Sequence, residues 1–262
     1  MAYSLITGAT GGLGKAFVYI LAERGERMIL TGRSEEKLRA LQTELKEKYP
    51  AVETEVIAAN LEKDEGRDEL KAQIEGKNLR LARLINVAGV DIQKPVVAYT
   101  AEKIRFQCRV NLEAAIELCH FAVSQKAESL EIINVSSVSG IYPMPYFAIY
   151  SATKGALTSF SLSLREELKG KGVKVTAVLP GAMPTREDIK EQIKGQGLWG
   201  KLAAKSPDYV ARKCLKAVSK NRKKIIVGFG NKCMRFFTAW LPLSWKMKFI
   251  AKRWSKISKD AF

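Results

Sequence analysis

Thr7-Gly8-Ala9-Thr10-Gly11-Gly12-Leu13-Gly14 lies between an apolar strand pattern, Ala2 to Ile6, and a helical one, Lys15 to Arg24. Glycines in such a place let the backbone approach a pyrophosphate, whose charge then sits at the helix N-terminus. The spacing satisfies Thr-Gly-x-x-x-Gly-x-Gly through Gly8, Gly12 and Gly14. It equally satisfies Gly-x-x-Gly-x-x-Gly through Gly8, Gly11 and Gly14. The loop therefore points to a nucleotide without choosing a subclass. A tight turn with no ligand is the plainer alternative, and the flanking strand and helix weigh against it.

Outward from the loop, strand and helix patterns alternate. Strands are expected at Arg27 to Thr31, Thr54 to Ala59 and Leu81 to Val87. Helices are expected from Ser34 to Lys48, from Lys63 to Ile74 and, in one long piece, from Ala101 to Gln125. Glu131 to Val135, Val173 to Leu179 and Lys224 to Val227 complete the strands, and a helix carrying Tyr150 runs to Leu168. This βα alternation predicts an α/β fold, a Rossmann-type doubly wound parallel sheet. One domain over 1–230 is expected, followed by a basic, aromatic-rich helical extension over 231–262.

Composition narrows the class. The chain has 262 residues and ordinary apolar content, and no run approaches the eighteen or so apolar residues of a membrane span. With the glycine loop opening at Thr7, no cleavable signal peptide is expected. Cys108, Cys119, Cys214 and Cys233 have neither metal-ligand nor disulfide-framework spacing, so no metal and a reducing, cytoplasmic setting are expected, with Cys119 a buried thiol. The charge is less ordinary, at +17 with a pI near 9.7. From Asn221 to Phe262 there are 11 basic residues against the single Asp260, a net +10, which leaves +7 for residues 1–220. A basic pI alone reports non-specific attraction. Without a recognisable nucleic-acid motif, a nucleic-acid-binding scaffold is the weaker hypothesis.

The chemistry-bearing stretch is Tyr150-Ser151-Ala152-Thr153-Lys154. On a helix, residues four apart share a face, about 6 Å apart along the axis. A free phenol with a pKa near ~10 is a poor proton donor, and a nearby ammonium is expected to lower that pKa. Ser137, thirteen residues earlier at the end of a strand, adds a hydroxyl. Together the three form an arrangement for handling a carbonyl or alcohol oxygen.

With these motifs in order, the chain resembles the classical short-chain dehydrogenase/reductase family from about residue 3 to residue 230. The glycine loop is followed by Asn86-Val87-Ala88-Gly89, Asn111, Ser137, Tyr150 with Lys154, and Pro180-Gly181 with Thr185. The resemblance implies an enzyme that moves a hydride between nicotinamide and a carbonyl or alcohol, and a homo-oligomer. Tyr150 is the implied acid/base. Lys154 tunes it and holds the nicotinamide ribose, Ser137 binds the reacting oxygen, and Asn111 holds a water through its backbone carbonyl. Cofactor contacts are implied at Gly8, Thr10, Gly12, Leu13, Gly14, Asn60, Leu61, Asn86, Ala88, Gly89, Pro180, Gly181 and Thr185, with the backbone near Ala182 at the carboxamide. Two positions depart from the family pattern. Asn60 stands where an Asp usually meets the adenine, and Arg83 stands where an Asp often precedes the fourth strand.

The second strand ends Leu30-Thr31-Gly32-Arg33, with no acid where an NAD site places one. Arg33 suits a 2′-phosphate, so NADP(H) is expected, and Glu35 or Glu36 keeps NAD(H) as the alternative. The substrate pocket is expected to include Ser137, Tyr142, Met144, Tyr150 and Met183, with Val90, Asp91, Ile141 and Pro143 nearby. The segment 186–206 is expected as a lid bearing Leu198 and Trp199. This mostly apolar set points to a lipophilic ketone or alcohol: a steroid, a 3-oxoacyl group or a sphingoid precursor.

In the extension, Pro242 separates two expected helices, the second from Ser244 to about Ser258. Met247, Ile250, Trp254 and Ile257 share one face of it, with basic residues largely elsewhere. Such a stripe suits either an anionic membrane surface, reached from the cytoplasm, or packing against the chain's own body or a neighbouring subunit.

Overall fold

Along each central strand, consecutive apolar residues go to opposite faces of the sheet. Ile6, Leu30, Ile85, Ile133 and Val178 enter one core, whereas Leu5, Ile29, Leu84, Ile132 and Val175 enter another. With both faces covered, strands read as continuous apolar runs rather than alternating ones. A computed structural model describes residues 2–184 and 204–255. It contains seven strands, β1 (Ala2–Thr7), β2 (Met28–Gly32), β3 (Thr54–Ala58), β4 (Arg80–Asn86), β5 (Lys126–Val135), β6 (Val173–Leu179) and β7 (Lys224–Ile226). They pair in the order β3-β2-β1-β4-β5-β6-β7, every pair parallel. The order reverses between β1 and β4, where ligands of open α/β sheets bind at the strands' carboxyl ends.

The first core is covered by α1 (Gly12–Ala22), α2 (Glu35–Lys48) and α7 (Pro207–Ser219). The second is covered by α3 (Asp64–Gly76), α5 (Ala114–Ser124) and α6 (Ala148–Glu167). Ser34 and Ser206 cap α2 and α7 by accepting from the amides of Lys37 and Tyr209. The expected single helix over 101–125 is not continuous. α4 (Ala101–Cys108) passes through a wide π-helical turn, Arg109–Glu113, before α5 begins. Strand β5 also starts earlier than its apolar run, at Lys126.

Charged groups inside this frame are paired. Arg83 joins Glu26 to Glu131 across the strands and donates to Ser4. Its side chain thus ties β1, β4 and β5 together. Buried Arg67 is held by Asp64, Glu113 and Glu117, the one carboxylate cluster of metal-like spacing among the described residues. All four cysteines are free, and burial pushes the Cys119 thiol up to about 12.

After β7 come α8 (Phe229–Ala239) and α9 (Leu243–Trp254). The extension is joined to the domain from its first turn. Asn231 is buried, donates to the Val227 carbonyl at 2.7 Å, and fills the space beside Gly181. A Cβ on Gly181 would lie 2.5 Å from the Asn231 amide.

Candidate active site

The carboxyl end of β5 delivers Ser136 and Ser137, and α6 delivers Tyr150 and Lys154 beside them. Three side-chain links set that distance. Asn134 donates to Ser161 at 2.9 Å, Ser136 donates to the Lys154 carbonyl at 2.7 Å, and Thr158 donates to Ser136 at 2.8 Å. Ser137 is buried, accepts from the Ser139 amide at 3.1 Å, and its hydroxyl is near enough to Tyr150 to act on the phenol. Lys154 is buried with its Nζ 5.7 Å from the Tyr150 ring centroid, and it donates to the Val135 carbonyl at 2.9 Å.

The electrostatics differ from expectation. Tyr150 is raised, not lowered. Burial is the largest cause, the Asp91 carboxylate adds to it, and the Ser137 hydroxyl opposes it. Burial also depresses Lys154 to about 8, with Asp91 opposing. The phenol is thereby held as a proton donor, and the ammonium loses its proton within an accessible pH range. Asp91 was expected only as a pocket residue, yet its charge acts on both members of the pair.

Asn111 sits buried in the π-helical turn. Its Oδ1 accepts from the Val90 amide at 2.7 Å, and its Nδ2 donates to the Val90 carbonyl at 2.8 Å and to Thr153 at 3.4 Å. The side chain thus clamps the loop after β4 to α6. Gly89 lies against this clamp, close to both Asn111 and Lys154.

The glycine loop faces this group from β1. Gly11 precedes α1 without a side-chain cap, and no acid occupies the first turn. Its amides and positive dipole end are thus suited to a phosphate anion. Gly14 makes the loop possible, since a Cβ there would lie 2.0 Å from the Gly8 carbonyl oxygen. Thr7 accepts from the amides of Val87 and Ala88, both at 3.0 Å, fixing the next turn beside the loop. These residues fit a dinucleotide.

Several expected cofactor residues are occupied otherwise. Asn86 donates to Asn134 at 2.8 Å and to the Ala115 carbonyl, inside the α5 side of the sheet. Its side chain is a strand-to-strand tie on the face that α5 and α6 cover, with its amide donors already engaged inside the protein. Leu13 and Leu61 are core residues, leaving only their backbone for a ligand. Asn60 Oδ1 accepts from the Glu62 amide at 3.1 Å, so any contact to an adenine would come from its NH2 group. Pro180 is buried and its carbonyl accepts from the Val138 amide at 3.0 Å. Thr185, Leu198 and Trp199 lie outside the described residues. Arg33 is exposed at the end of β2. Nearby, Thr10, Lys15, Lys37 and Glu44 line a cavity of about 210 Å³. Lys15 and Lys37 were not singled out from the sequence, because lone lysines there look like solvated helix positions.

On the substrate side, Met144 is half-buried, while Met183 packs against the α1 core. Tyr142 shares a hydrogen bond of 3.0 Å with Thr238 of α8 and carries Lys246 of α9 4.8 Å from its ring centroid. Phe147 stacks on Tyr150 at 4.3 Å between centroids, and Trp254 of α9 lies 6.1 Å beyond Phe147. The extension therefore walls the site. Met247, Ile250 and Trp254 are half-buried, and Trp254 reaches the domain through Phe147, in keeping with the expected alternative of packing against the chain's own body. Ile257 lies outside the described residues.

The fold, the hydroxyl–phenol–ammonium group and the glycine loop define a dinucleotide-dependent oxidoreductase class. The short chain dehydrogenase family model matches residues 3–194, and the chain belongs to that family. Its relatives include the very-long-chain 3-oxoacyl-CoA reductase of Bos taurus, 35% identical over 190 residues, 70% of this chain and 60% of that protein. The Homo sapiens enzyme of the same name is 33% identical over 190 residues, 70% of this chain and 60% of its own. The chain thus spans about 60% of the length of these curated relatives. Among solved structures, a 7beta-hydroxysteroid dehydrogenase aligns with a TM-score of 0.85 at 26% identity, covering 95% of this chain and 96% of that one. A short-chain dehydrogenase from Sphingobium yanoikuyae in complex with NADPH aligns at 0.75 and 26% identity, covering 100% and 98%.

Proposed function

We propose that this chain is an NADP(H)-dependent reductase of lipophilic ketones, with long-chain 3-oxoacyl thioesters as the favoured substrate class. The observation that carries the reading is the gathering of buried Ser137, Tyr150 and buried Lys154 at the end of β5, with the Lys154 Nζ 5.7 Å from the Tyr150 ring centroid. Ser137 orients the carbonyl oxygen and stabilises its developing charge, and Tyr150 gives that oxygen its proton. Bound nicotinamide would supply the hydride to the carbonyl carbon. Lys154 and the backbone at Ala88 and Gly89 would hold the ribose, and the Gly8–Gly14 loop and the α1 N-terminus would hold the pyrophosphate.

The preference for NADP(H) rests on the missing acid after β2, on Arg33, and on Lys15 and Lys37 around Thr10. That the Sphingobium neighbour was solved with NADPH supports it. The lipophilic class is supported by Phe147 stacked on Tyr150 with Trp254 beyond it, and by the names of the curated relatives. The test is a panel of 3-oxoacyl thioesters of rising chain length, ketosteroids and simple aldehydes, each with NADPH and NADH. NADPH oxidation rising with acyl length is expected. Turnover only with NADH, or only on small polar aldehydes, would overturn the reading.

A further inference from the structure

Exposed large apolar side chains are unevenly placed on this molecule. Of twelve among the described residues, nine lie between Phe229 and Phe249. On α8, Phe229, Phe236, Phe237 and Trp240 share one face, opposite the buried Asn231 and the inward Thr238. Trp240 is 87% exposed and Phe229 79%. On α9, Trp245 and Phe249 project outward beside Lys248 and Lys252, away from the inward stripe. Leu241 and Leu243, at the bend between the helices, are exposed as well. Scattered single apolar residues need no explanation, but a two-helix cluster of this kind marks an interaction surface.

Charge decides what covers it. No acid occurs from Asn221 to Ser255, while Lys232, Arg235, Lys248 and Lys252 are exposed among the aromatics. A cavity of about 330 Å³ adjoins α8, lined by Lys213, Lys216, Lys220, Arg222 and Lys232 with no carboxylate. Phe229 and Lys232 belong to both features, so the apolar face and the cationic cavity are contiguous. A second copy docked here would set two acid-free basic surfaces against each other. No described helix is long and apolar enough to cross a membrane.

We propose that α8 and α9 form a docking surface for an anionic bilayer. Phe236, Phe237, Trp240, Trp245 and Phe249 enter the headgroup–acyl boundary, and the cationic cavity beside Phe229 receives lipid phosphate. Because Thr238, Lys246 and Trp254 reach Tyr142 and Phe147 from the inner faces of these helices, docking sets the reactive pocket beside the lipid phase. That last consequence rests on the proposed reaction; bilayer binding does not.

The test is co-sedimentation of the full chain with vesicles of phosphatidylcholine alone or mixed with phosphatidylglycerol, at low and high salt. Salt-sensitive binding to the anionic vesicles is expected. Trp240→Ser/Trp245→Ser/Phe249→Ser should weaken it by roughly tenfold or more, and so should Lys216→Glu/Lys220→Glu, both with an unchanged thermal midpoint. A chain that stays in the supernatant with both vesicles would overturn the proposal, as would variants that bind like the parent. Binding to a single-stranded oligonucleotide without binding to vesicles, or a dimer that the aromatic variant dissociates without vesicle binding, would also overturn it. Sedimentation needs no turnover, so its failure is distinct from failure of the reductase reading.

Discussion

Tyr150 is held between a hydroxyl, a carboxylate and a buried ammonium, and the balance among them sets its chemistry. Tyr150→Phe keeps the ring stacked on Phe147 but removes the transferable proton. Turnover should fall by on the order of 10²- to 10⁴-fold with the NADPH dissociation constant nearly unchanged, measured by steady-state kinetics and fluorescence titration. Lys154, depressed to about 8, is protonated below that pH and neutral above it. Tyr150 itself stays protonated because its shift is upward. The reduction kcat/KM should therefore be level below pH 8 and fall as pH rises through it. Lys154→Met should flatten that profile as well as lower it. Ser137, Tyr150 and Lys154 were legible as a group because helical spacing and a strand end place them together. The sign of the tyrosine shift was not legible. It depends on desolvation and on Asp91, which belongs to a different loop.

At the scale of elements, the glycine loop was readable because its requirement is local. Gly14 approaches the Gly8 carbonyl too closely for any side chain, and that constraint is written in the residue itself. Gly14→Ala should cost about 1–3 kcal/mol of stability and weaken NADPH binding, as read by urea unfolding and titration. The π-helical turn at Arg109–Glu113 was not readable. One extra residue in a turn leaves the apolar periodicity of 101–125 almost unchanged, while it reorients Asn111 toward Val90. Asn86 shows the same limit from the other side. Its position in a motif was visible, but which face of β4 it occupies was fixed by the sheet register.

At the scale of the whole molecule, the boundary expected at residue 230 falls inside a packed joint. Asn231 bonds to Val227 and fills the space at Gly181, so α8 completes the end of the sheet. Asn231→Ala leaves the Val227 carbonyl without that donor and opens a gap. It should cost about 1–3 kcal/mol by urea unfolding, and a chain ending at Gly230 should refold poorly. The extension's aromatic content was plain in the sequence. Which aromatics face inward was not, because α9 carries large apolar residues on both sides and only contact with Phe147 distinguishes Trp254 from Trp245. That division also has an optical consequence. Two of the four tryptophans, Trp240 and Trp245, look outward, and Trp254 stands in line with the rings of Phe147 and Tyr150. In a Trp199→Phe background, a water-borne quencher should silence the outward pair and spare much of Trp254. The light that remains would come from beside the reacting phenol, so the chain carries its own gauge of what enters the pocket.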